Sequence, residues 1–165
     1  MKKYIILIFL FLSLSAFAQN KTDIDKNWKS LKKSFILKTE IVLKLTNKLR
    51  TAKVIEKTEL DKTVFNAKKL KVTCENEVLN RESVDKVKQG NDELNTHLVR
   101  ILVTLESDFK MKTSNEVLSI NDQLSTTEEQ IFTRTKKYND SCLSLNETSL
   151  IFKTTSNTQS PEVKF

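Results

Sequence analysis

Between Ile24 and Ala52, apolar side chains recur at Ile24, Trp28, Leu31, Phe35, Val42, Leu45, Leu49 and Ala52 in steps of four and three, and only Lys38 breaks the rhythm. At 3.6 residues per turn these positions share one side of a helix, a stripe about 40 Å long at roughly 1.5 Å per residue. Such a stripe holds in water only when covered, so it predicts a long first helix packed on others, with Thr22 or Asp23 as its cap. The rhythm fades from Thr51 to Glu59, where a turn is expected, and Thr58 with Asp61 offers a capping pattern for a second helix. That helix carries Leu60, Val64, Ala67, Leu70, Cys74 and Val78.

Residues 80–91 show no period and contain the single glycine, Gly90, so they read as the main surface loop. Asn91 or Asp92 then opens a third helix with Leu94, Leu98, Ile101, Leu102 and Leu105, ending near Phe109. Thr113 to Glu116 fits a capping box ahead of a long fourth helix. Its inward positions are Val117, Ile120, Leu124, Ile131, Tyr138, Cys142, Leu145 and Phe152, with polar Asn121, Glu128 and Thr135 on much the same face. Four amphipathic segments without strand alternation predict an all-α fold, an antiparallel up-down bundle of about four long helices. A coiled-coil dimer built on the first seam is the alternative.

Composition sharpens this picture. One glycine and one proline in 165 residues leave few turns and exclude a glycine-rich phosphate cradle. At the N-terminus, Lys2 and Lys3 precede an apolar run from Tyr4 to Phe17 that closes on Ala16-Phe17-Ala18, the pattern of a secretory signal peptide cut before Gln19. As a helix this run spans about 21 Å, short of the roughly 30 Å hydrocarbon core, so an uncleaved anchor is the lesser reading. The domains expected are a signal peptide over 1–18, a helical bundle over 19–152 and a flexible C-terminal tail over 153–165, where Thr, Ser, Asn and Gln lead to Pro161.

Export would permit a disulfide between Cys74 and Cys142. If the helices turn near residues 54 and 112, the two sit about 15 Å apart along the bundle at 1.5 Å per residue, and both continue apolar seams, so buried free thiols are expected. Two cysteines and the lone His97 make no metal pattern, and no cofactor is implied. His97 stands beside the third stripe without an acidic partner in the pattern and reads as a satisfied, partly exposed histidine.

The charge is uneven. Residues 21–80 hold 15 Lys and Arg against 8 Asp and Glu, whereas residues 81–165 hold 11 against 13. Lys26, Lys29, Lys32, Lys33, Lys44, Lys48, Lys53, Lys62, Lys68, Lys69 and Lys71 surround the first two apolar seams. They keep an exported bundle soluble, or contact an anionic surface or acidic partner. Nucleic acid suits the charge but not the export signal or the scarcity of aromatics among the lysines.

Several of these residues resemble the LemA family. In the first half they are Asp25-Lys26-Asn27-Trp28, Leu31, Ile41-Val42, Leu45, Leu49, Glu56-Lys57 and Leu60. In the second half they are Ser114-Asn115-Glu116, Leu118, Leu124, Thr127-Glu128, Ile131, Tyr138-Asn139, Asn146 and Phe152. The chain departs from the family at Leu43, where a proline is usual, at Phe152-Lys153 for Phe-Pro, at Leu145-Asn146 for Tyr-Asn, and in its polar C-terminus. The resemblance implies a long-helix antiparallel bundle on the outer side of the cytoplasmic membrane of a bacterium, periplasmic or membrane-associated, with no catalytic residue to carry over.

The expected function is therefore a non-enzymatic envelope module that binds a protein partner or membrane surface, with self-association through helix faces left open. An envelope-associated hydrolase or accessory factor with an unrecognised site is the alternative. Its one buried acid would be Glu128, expected at the seam's edge and paired with a lysine.

Overall fold

The computed structural model describes residues 2–53 and 55–153, with side chains from Thr22 onward. The expected leader over 1–18 and the tail beyond Lys153 lie outside the described side chains. Helix α1 (Lys2–Ala52) is followed by α2 (Lys57–Asn76), α3 (Arg81–Glu106), the single turn α4 (Phe109–Lys112) and α5 (Asn115–Ser144), then a 3-10 turn at Thr148–Leu150. The described residues contain no strand, and the four long helices form an antiparallel bundle.

Helix α1 is the hub, packed along both α2 and α5, while α3 packs on α2. Two neighbours demand a wide buried arc, so Ser34, Thr39 and Ile41 are buried beside the stripe of Trp28, Leu31, Phe35, Val42, Leu45 and Leu49. The small hydroxyls fit this arc because they bond backward within the helix, Thr39 to the Ile36 carbonyl at 2.6 Å and Thr46 to that of Leu43 at 3.0 Å. Helix α1 runs through Thr22 and Asp23, so neither caps a start there.

The turn expected near residue 54 is present. With no glycine available, Lys53 takes the left-handed conformation (φ 56°) that ends α1. Glu56, not Thr58, is the residue before α2, and its side chain makes no cap bond. Inside α2 the core takes Thr63 in place of the expected Val64, which is half-buried, and Val78 lies outside the helix, exposed.

Residues 80–91 are not a loop. Asn80 and Ser83 form a reciprocal capping box, and Val84, Val87, Gly90 and Leu94 continue one buried stripe of α3. A Cβ on Gly90 would stand 3.2 Å from Leu70 Cδ1, so the glycine is there for close approach of α2 and α3 rather than for a turn. At the other end Phe109 is exposed in α4, and α5 is capped by Ser114, one residue after the expected Thr113.

Helix α5 stops at Ser144, short of the expected Phe152. Asn146 is left-handed (φ 58°), and the chain doubles back. Tyr138 Oη donates to the Leu150 carbonyl at 2.8 Å. Asn139 takes both backbone polar groups of Phe152, accepting from its N–H at 2.8 Å and donating to its carbonyl at 3.0 Å. The Phe152 ring, buried, stacks 5.7 Å from Phe35, and Arg81 donates to the Ser149 carbonyl at 2.7 Å. This strap covers the lower core, where Trp28 and Tyr138 pack with centroids 5.3 Å apart.

Candidate functional site

The one lysine that interrupts the apolar stripe of α1 is wholly buried. Lys38 Nζ reaches Asn91 Oδ1 at 2.8 Å, Asn95 Oδ1 at 2.5 Å and Glu128 Oε1 at 2.6 Å. An ammonium has three protons, and each meets one oxygen here. The two asparagines stand one turn apart on α3, and the glutamate comes from α5, so one side chain of the hub ties both far helices. Burial pushes the Lys38 amine below its ordinary value, and the neighbouring Glu128 and Asp92 carboxylates hold the proton on.

Glu128 lies at the seam's edge with 31% of its side chain exposed and pairs with a lysine, as its periodicity predicts. Asn91 was legible as the end of a loop or the residue opening the third helix, and Asn95 carried no reading of its own. Their four-residue spacing was the available signal.

A second polar cluster joins α2 to α3. His97 Nδ1 lies 2.6 Å from Glu59 Oε1, and Arg100 stands 3.8 Å from Glu59 Oε2, so His97 does have the acidic partner that its own stretch of sequence lacks. The hydrogen bond to His97, with the charges of His97, Arg100 and Lys62, holds the Glu59 carboxyl below its ordinary value. Cys74 and Cys142 are buried and unbridged, as expected. Among the described residues no group of three or more His, Cys, Asp or Glu could hold a metal ion. Buried polar atoms without a hydrogen-bond partner are Trp28 Nε1, Asn121 Oδ1 and Thr135 Oγ1.

The basic residues divide. Lys32 donates to the Glu77 carbonyl at 2.6 Å and covers the Trp28 ring, Lys48 pairs with Glu116, Lys69 with Glu93 at 2.8 Å, and Lys71 with Glu40 at 2.9 Å. Lys26, Lys29, Lys33, Lys44, Lys53, Lys62 and Lys68 are exposed and make no ion pair with described residues. Lys26, Lys33 and Lys44 follow seven- and eleven-residue steps, with half-exposed Leu37 between them, and so line the outer face of α1.

A model of the LemA family matches residues 27–165, which hold the whole described bundle beyond the start of α1. The chain belongs to the LemA family. No curated protein and no solved structure matches it. LemA proteins are a bacterial, membrane-associated family and not a known family of enzymes, so membership carries a helical, envelope-associated protein at family level. No helix of the described residues is long and apolar enough to cross a membrane.

Proposed function

We propose that this LemA-family chain is a non-enzymatic binding module on the outer side of the bacterial cytoplasmic membrane. Its outer α1–α2 face engages an acidic partner, protein or lipid. The observation that supports this reading is the division of charge. The lysine inside the bundle is saturated by three oxygens, and the unpaired lysines Lys26, Lys29, Lys33 and Lys44 stand along one exposed helix face. Each such lysine near an anionic surface is worth about 1 kcal/mol at low ionic strength, and salt weakens the sum.

The test places a photo-crosslinking residue at position 37, between Lys33 and Lys44, in intact cells. Adducts should form and should disappear in the variant carrying Gln at positions 26, 29, 33 and 44. Adducts that persist unchanged in that variant, or none from the native face, defeat the reading.

A further inference from the structure

The outer ridge of α2 carries two apolar side chains that no element covers. Phe65 is 67% exposed and Val72 is 54% exposed, and seven residues, two turns, separate them. Lys62, Lys68 and Lys69 lie three or four positions from Phe65, and Lys68 and Lys69 lie three or four from Val72, all exposed. Within a turn of these residues, Glu59 is bonded to His97 at 2.6 Å, Asp61 is held by Arg50 at 2.6 Å, and Glu75 makes no ion pair with described residues. Phe132 of α5, equally exposed, has Glu128 and Glu129 as well as Lys136 three or four positions away, so acid outweighs base there. Phe109, 75% exposed, has Lys110 and Lys112 within one turn but also Asp108 and Glu106, the latter paired with Lys112 at 3.2 Å. Of the exposed aromatics among the described residues, Phe65 is thus the one whose surroundings carry an excess of lysines.

We propose that this ridge docks on an anionic phospholipid surface, with Phe65 and Val72 entering the headgroup layer and the lysines meeting the phosphates. Phe65 and Val72 stand exposed with Lys62, Lys68 and Lys69 around them. They match an interfacial layer, where the ring is wetted on one side and lysine stems extend along the apolar surface to place their ammonium groups among phosphates. Lys69 keeps half its side chain exposed while bonded to Glu93, so it can turn between the two partners. The proposal rests on the binding-module reading and narrows its partner to lipid and its contact to α2.

The test replaces Phe65 by Trp in the full chain and measures tryptophan quenching by vesicles with brominated acyl chains, of phosphatidylglycerol or of phosphatidylcholine. The native Trp28 is buried and gives a constant background. Quenching of Phe65→Trp should be strong on phosphatidylglycerol and absent on phosphatidylcholine. It should need roughly a hundred-fold more lipid when Lys62, Lys68 and Lys69 are all Gln, and should fade with added salt. Equal quenching by both lipids, or binding without quenching at position 65, overturns the docking. Position-37 adducts that consist of protein while position 65 stays unquenched overturn the lipid contact and leave the binding-module reading standing.

Discussion

Lys38 Nζ lies 2.6 Å from Glu128 Oε1, with the lysine fully buried and the glutamate at the edge of the core. Removing one member of such a pair strands the other. Glu128→Ala should cost about 3 kcal/mol, because it leaves a charged amine without its counter-ion, whereas Lys38→Met should stay within about 1 kcal/mol of the native chain. Urea denaturation of both, and of the double variant, checks the asymmetry, and the double variant should regain most of the loss.

The same lysine sets a pH dependence. Its pKa is lowered in the fold, so as pH rises toward 10.5 the native chain releases this proton before the unfolded chain does. The unfolded state then holds more protons, and the contribution to stability rises with pH across that window. Subtracting the Lys38→Met profile isolates it from Lys71 and Lys86, whose raised values act in the opposite direction at higher pH.

Glu59 works at the acid end. Its lowered pKa means that its contribution is complete above 4.5 and is lost as pH falls through the lower folded value. Glu59→Gln should lower stability at neutral pH by about 0.5–1 kcal/mol and flatten the acid limb of the stability curve, as followed by circular dichroism.

Gly90→Ala pits helix propensity against space. The substitution gains about 1 kcal/mol in α3 but presses a methyl to 3.2 Å from the buried Leu70, so the net change should be small. Gly90→Val, which adds bulk that cannot be absorbed there, should cost about 2–3 kcal/mol in the same denaturation assay.

Phe152→Ala should remove about 3 kcal/mol and release the strap from Ser144 onward. Hydrogen exchange would show the Phe152 amide, bonded to Asn139 in the native chain, losing its protection, and Trp28 emission should shift to the red as the core beneath the strap becomes wet.

Both thiols should resist alkylation in the folded chain and react in denaturant. Burial pushes the Cys74 thiol up to about 12 and raises that of Cys142, so neither supplies thiolate near neutral pH. A thiol titration with and without denaturant reads this directly.

The bundle was legible in the sequence because each long stripe repeats over many turns and local irregularities average out. The first seam, from Ile24 to Leu49, is buried as its period predicts. What failed were the places where one residue carries two meanings. Gly90 looks like a break but serves close packing, and Val84 and Val87 are too few to outweigh the polar residues between them. Phe152 continues the α5 period by coincidence, having returned to the core after a reversal at Asn146. The polar layer was half legible: Lys38 and Glu128 each stood out of rhythm, but their meeting, and the two asparagines that complete it, depend on how α3 and α5 align.

The lysine also acts as an indexing pin. Aliphatic seams are nearly interchangeable from one turn to the next, so helices lined only by leucine and isoleucine could slide by about 5.4 Å at little loss. An ammonium displaced that far would forfeit all three oxygens together, so this contact disfavours a slipped alignment of the rods.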